Sequence, residues 1–194
     1  MEHVLPENPI LFSPVWPMSS VSIDSDAGGS FPAQDFAPLS DAELLSHAAR
    51  GDHGAYAQFV TRHQDRLYNS LFRLVGDSNE AAELAHEAVR RALARIDEFE
   101  PSRDQPYSWL FGMALNLAVT ALRRTRRSRD FGAEPALAAL GRIELDYRTV
   151  LIMRDLECFD YQQMSDLLSL PAATVKSRLF RARLALRDEL RSVG

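Results

Sequence analysis

Near the C-terminus, the run YQQMSDLLSLPAATVKSRLFRARLALRDEL leaves few folds open to the chain that carries it. Apolar residues recur at helical spacing on both sides of a short break, and Pro171 in that break can open a helix but not continue one. The run therefore reads as a short helix, a joint at Ser169 and Leu170, and a second helix begun by Pro171, the spacing of a helix-turn-helix. In that motif the second helix lies in the major groove with its first turns at the bases. Val175, Leu179, Ala182, Leu186 and Leu190 fall on one stripe and are expected to face inward. Thr174, Lys176, Ser177, Arg178 and Arg181 are then left outside, where they can reach phosphates and base edges, and Phe180 joins them in the expected duplex-contact set. An ordinary amphipathic helix with solvated arginines has the same local pattern.

Charge sharpens that reading. The chain has formal net charge −5, yet residues 1–39 hold Glu2, Glu7, Asp24, Asp26 and Asp35 with no Lys or Arg, so the rest is neutral as a whole. Within that neutral remainder the cations cluster: RRTRRSR carries Arg123, Arg124, Arg126, Arg127 and Arg129, and the last helix carries the second group. Two local basic patches point to a polyanion met at defined places. A solvated helix end, favoured by the helix dipole, is the other reading of the first patch. Cys158 stands alone, which excludes an intramolecular disulfide, and the histidines show no metal-ligand spacing. No cofactor is expected. No Gly-rich phosphate loop and no nucleophile with a matching base appears, so the chain is not read as an enzyme. The longest apolar run, WLFGMALNLAVTAL, has 14 residues, too few for a membrane span, and a cytoplasmic protein without membrane insertion is expected.

Residues 1–39 are rich in proline and serine without sustained periodicity, and are read as a disordered extension in which Phe12 and Trp16 could still dock on a partner or on the body. Order is expected from Ser40, an N-cap with Glu43 three residues on. Gly51 closes that helix and Asp52 caps the next, whose Tyr56, Phe59, Val60, Leu67, Leu71 and Leu74 share a face ended by Gly76. Ser78 is expected to open a third helix with Leu84, Val89, Leu93 and Ile96 inward; YSWLFGMALNLAVTALRRTRR is expected as the fourth. The fold class is thus all-α: two small helical domains, the C-terminal one a helix-turn-helix, joined by a short linker. The boundaries are 1–39 for the extension, 40–127 for the first domain, 128–135 for the linker and 136–194 for the second domain. Eight linker residues reach at most about 28 Å.

The strings AELLSHAARGDHGAYAQFVTRHQDRLYNSLFRLVGD, AAELAHEAVRRALARIDEF and WLFGMALNLAVTALRR, followed by YRTVLIMRDLECFDYQQMSDLLSLPAATVKSRLFRARLALRDEL, together resemble the extracytoplasmic-function sigma factors over about residues 40–191. The resemblance implies a protein that binds RNA polymerase core and directs promoter-specific transcription initiation, with an anti-sigma factor as a further partner. The second domain would read the −35 element as duplex. In the first domain, Glu83, Leu84, His86 and Glu87 occupy the places of the family's clamp-binding string, with Arg91 beside them. Ala114, Leu115 and Asn116 match the string that supplies a pocket for a flipped −10 base, which makes Asn116 the expected base contact. Tyr107 and Trp109 would wall that pocket or else pack in the core, and Arg123, Arg124, Arg126 and Arg127 would meet phosphate without regard to sequence. A sigma-like mimic that titrates an anti-sigma factor without directing transcription is the alternative. Mimicry needs only the protein-binding faces, whereas initiation needs the DNA-facing residues as well.

Overall fold

A computed structural model describes residues 36–101, 105–124, 131–132 and 134–193 of the chain. The extension as far as residue 35, with Phe12 and Trp16, lies outside the described residues, as do Arg126, Arg127 and Arg129. The described residues are helical with no strand among them, and they fall into two compact units divided between residues 127 and 128.

The first unit contains α1 (Asp41–Ala49), α2 (His53–Val75), α3 (Ser78–Ala94), a short 3-10 turn (Ile96–Glu98) and α4 (Pro106–Arg124). Ser40 caps α1 as the sequence predicts: its hydroxyl accepts from Glu43 N, and the Glu43 carboxylate takes the Ser40 N–H at 2.7 Å. Hydrogen bonds from Ser40 hold the Glu43 carboxyl below the ordinary carboxylate range. Asp52 accepts from Gly54 N and Ala55 N to cap α2, and Gly76 ends that helix at φ 71, a left-handed conformation that favours glycine. The third helix opens at Ser78 as expected, with Asp77 as its N-cap accepting from Glu80 N at 2.8 Å.

Its inner face departs from expectation. Val89 and Leu93 are only half-buried and Ile96 lies beyond the helix; apart from Leu84, the buried stripe is Ala81, Ala85, Ala88 and Ala92. Alanine spares side-chain entropy and lets the α3 backbone approach α2 and α4, whose larger Leu67, Leu71, Leu110 and Phe111 fill the interval. Order also begins before Ser40. The Arg62 guanidinium donates to the carbonyls of Phe36, Ala37 and Leu39 and pairs with Asp41 at 2.9 Å, fastening the entry segment to α2. That contact corrects the extension's boundary at 39 for the four residues 36–39.

The second unit contains α5 (Pro135–Arg142), α6 (Leu145–Leu151), α7 (Tyr161–Leu168) and α8 (Ala172–Val193). Pro135 is the first residue of α5 and Glu134 its cap, so the helix starts one residue inside the expected linker. Phe131, read as free linker, is 6% exposed and belongs to this unit's core. After α6 the backbone widens over Ile152–Leu156, with Glu157 N donating to Ile152 O, before a turn through Cys158 at φ 58. No pattern in YRTVLIMRDLE marks that change. Asp160 then caps α7 reciprocally with Gln163, Ser169 takes a left-handed conformation at φ 52, and Pro171 O accepts from Thr174 N and Val175 N as α8 begins. The helix-turn-helix is therefore assembled by a capping box, one left-handed residue and one proline. α8 packs against α5, α6 and α7 through Val175, Leu179 and Ala182, all buried. The expected stripe does not persist: Leu186 is half-buried and Leu190 is 40% exposed, although α5 still reaches the last turns of α8 through Arg142, which pairs with Glu189 at 3.8 Å.

Candidate nucleic-acid interface

The outward face of α8 follows from its inward one. With Val175, Leu179 and Ala182 held in the core, Thr174, Lys176, Ser177, Phe180 and Arg181 are exposed over the first turns. Phe180 is 66% exposed, an unusual cost for an aromatic side chain unless something covers it. The cations on this helix are not equivalent. Arg178 pairs with Asp146 at 3.0 Å, Arg183 takes Asp155 through two nitrogens, and Arg187 pairs with Asp188. Arg181 makes no ion pair among the described residues, and the Lys176 ammonium lies over the Tyr161 ring, 5.1 Å from its centroid. Arg154 is at the same distance from that ring, so Tyr161 at the start of α7 holds two cations at the mouth of the motif. Sequence reasoning missed Tyr161 and Asp146. The aromatic beside a capping residue was the available signal for the first, and none existed for the second.

On α4, the buried set Leu110, Phe111, Ala114, Leu115 and Ala118 leaves Trp109, Asn116, Thr120, Arg123 and Arg124 toward the other side. Asn116 is exposed, and its side-chain amide makes no hydrogen bond among the described residues. Trp109 is half-buried, tilted at 58° on Phe99 with centroids 5.4 Å apart, and it precedes Asn116 by two helical turns on one face, about 10 Å along the axis. Arg123 and Arg124 are exposed at the helix end. Tyr107 is removed from the expected set, because it is 8% exposed, with Arg66 4.1 Å above its ring and His63 5.0 Å away. A ring so enclosed has no open face on which another ring could stack. Thr120, one turn beyond Asn116, was overlooked although the spacing of four showed it.

α3 presents a third surface. Glu83 and Arg91 are exposed, while Glu87 accepts from Arg91 at 2.6 Å and from Arg90. Those bonds, Arg91 first, hold its carboxyl below the ordinary range. His86 is half-buried with Nε2 enclosed. Leu84 is 9% exposed, so it is a core residue and not the contact expected of it.

Comparison with known proteins identifies the family. Family profiles described as Sigma-70 region 2 and Sigma-70, region 4 match residues 59–128 and 133–186. The ECF RNA polymerase sigma factor EcfG of Rhodopseudomonas palustris is 30% identical over 132 residues, 58% of this chain and 72% of that protein. The chain belongs to the ECF sigma factor family. The ECF sigma factor SigW of Bacillus subtilis is 27% identical over 180 residues, covering 77% of this chain and 96% of its own. Among solved structures, CnrH in complex with the cytosolic domain of CnrY superposes with TM-score 0.67 at 26% identity, covering 78% of this sigma factor and 97% of CnrH. The region 2 match contains the α4 face and the α3 surface, and the region 4 match contains the first turns of α8. No helix among the described residues of this sigma factor is long and apolar enough to cross a membrane.

Proposed function

We propose that the chain is a cytoplasmic initiation factor that binds RNA polymerase core, reads −35 DNA as duplex through α8 and captures a melted −10 base on α4, while the polymerase performs the chemistry. The observation that carries the reading is the open outer face of α8. Thr174, Lys176, Ser177 and Arg181 are exposed over its first turns, on a helix fixed from behind by Val175, Leu179 and Ala182. A rigid helix with a hydroxyl, an ammonium and a guanidinium on one face suits a major groove, where phosphate contacts set register and base contacts set sequence. Arg178, already paired with Asp146, contributes by exchanging that partner for phosphate or by orienting its neighbours.

On α4, Asn116 offers one donor and one acceptor edge and Trp109 one partly open ring, the pair of chemistries an unstacked base needs. Arg123 and Arg124 follow on the same helix as cations for the strand's phosphates, with Arg126 and Arg127 beyond the described residues. The polymerase contact falls to the outer side of α3, where Glu83 and Arg91 are exposed and His86 and Glu87 are half-buried beside them. An anti-sigma factor is the further partner that the resemblance to the ECF sigma factors implies. The domain limits that go with these roles begin at residue 36 for the first unit and at residue 131 for the second, in place of 40 and 136.

Run-off transcription with purified core polymerase on a library of promoter sequences tests the reading. Template-dependent transcripts that require the protein are expected. Core binding with no transcript from any template would replace initiation by titration of a partner.

A further inference from the structure

The chain between the two DNA-binding faces is tied down earlier than its sequence suggests. α4 is helical to Arg124, and Phe131 already belongs to the second unit, so six residues, 125–130, lie between. Phe131 is held from two sides. Its ring lies against Gly141 of α5 so closely that a Cβ at position 141 would sit 2.7 Å from Phe131 Cγ and nearer still to Cδ2. Over the same ring, 4.5 Å from its centroid, is the guanidinium of Arg148. Arg148 is itself 7% exposed and fixed by donating to the carbonyls of Leu140, Gly141 and Ile143. An apolar ring in a glycine notch under a locked guanidinium is a built seat. Nothing in the helical pattern of α5 requires it, since α5 has its own cap in Glu134.

We propose that Phe131 is a specificity-determining residue: by seating on the second unit it fixes the length of free chain between the two DNA-binding units and so sets the longest promoter spacing the protein accepts. The proposal rests on the initiation reading above. Whatever conformation residues 125–130 adopt, the chain from Arg124 to Phe131 spans at most about 24 Å. With Phe131 unseated, the next fixed point is Glu134, and the limit becomes about 35 Å. The difference of roughly 10 Å equals about three base pairs at about 3.4 Å each. The seat thus acts as a stop on the tether, remote from every residue that touches DNA.

Two variants unseat the ring from opposite sides. Phe131→Ala removes it, and Gly141→Ala keeps it but fills the notch while placing a better helix former in α5. Each is made in the full chain, and unchanged affinity for a −35 duplex shows that the second unit is folded. Run-off transcription on promoters differing only in −35 to −10 spacing is the first readout. Both variants should extend the longest half-maximally active spacer by about 1–3 base pairs, with activity at the wild-type optimum retained. The second readout needs no polymerase. Spin labels at Glu98→Cys and Glu144→Cys, both exposed, in a Cys158→Ser background report the distance between units. The long edge of the distribution should move out by up to about 10 Å in each variant. An unchanged distribution overturns the seat. An extended distribution with an unchanged spacer profile overturns the specificity role. If the wild-type protein transcribes no template in the series, the initiation reading fails, and the specificity role falls with it whatever the distances show.

Discussion

Arg148→Met isolates the polar part of the interaction that closes the second unit. The substitution keeps an apolar stem of similar length and removes a guanidinium that donates at 2.9 Å to Leu140 O, 2.8 Å to Gly141 O and 3.2 Å to Ile143 O. Hydrogen bonds from a charged donor are worth about 1.5–3 kcal/mol net each, but three made by one rigid group do not add in full. The carbonyls left behind belong to the last turn of α5 and its C-cap Ile143, where the helix dipole adds to the cation's stabilisation and where water can reach part of what is vacated. A loss of about 3–4 kcal/mol follows, which for a unit of this size lowers its melting temperature by roughly 15–25 °C. Calorimetry of the full chain should show one transition moving down and the first unit's transition holding its place. Hydrogen exchange should quicken at Val175 and Leu179 but not at Leu67 or Leu110. A shift below about 5 °C would refute the argument, since it would mean that the three carbonyls are satisfied as well by water.

Lys176→Ala and Arg181→Ala should each weaken −35 duplex binding by about 1–3 kcal/mol if they contact a base, or lower the salt slope by about one unit if they contact phosphate. Binding equal to wild type across a salt titration counts against α8 as the reader. Asn116→Ala should leave polymerase binding intact and reduce promoter opening, visible as lower permanganate reactivity of −10 thymines; Tyr107→Phe should leave opening unchanged, because that ring is buried. The carboxyls of Glu43 and Glu87 are held below their ordinary pKa in the folded protein. Their stabilisation is therefore complete above the ordinary carboxylate range and lost as pH falls through the lowered values. Ser40→Ala should accordingly flatten the acid limb of the first unit's stability curve below the ordinary carboxylate range, and an acid limb as steep as wild type's would show the capping box to be without effect.

Most of the candidate interface could be read from the chain because it depends on periodicities that hold within one helix. Once Val175, Leu179 and Ala182 are taken as inward, the geometry of a helix puts Lys176, Ser177 and Arg181 outward with no knowledge of neighbours. Caps at Ser40, Asp52 and Gly76 were legible for the same reason, each being a contact within four residues of itself. The reading failed where a residue's role is set by what stands opposite. Leu84 and Tyr107 carry the same local pattern whether they face a partner or the core, and only α2 and α4 closing over them decides it. Arg178 looks like Arg181 in sequence until Asp146 arrives from α6. The alanine stripe of α3 carries too little hydrophobicity to stand out, yet its lack of side chain is what allows the close approach.

What the sequence by itself determined is therefore the helical class, the turn between α7 and α8 and the direction of their faces, all consequences of short-range geometry. The tertiary structure decided which exposed cations are already paired, where the chain between the units is fastened and which aromatic rings are closed. Those are contacts between residues far apart in the chain, whose free energy exists only once loop closure has brought them together. Phe131 is the sharpest case. Beside Gly132 it looks like linker, and it becomes an anchor only because Gly141 and Arg148, ten and seventeen residues later, fold back to make a place for it.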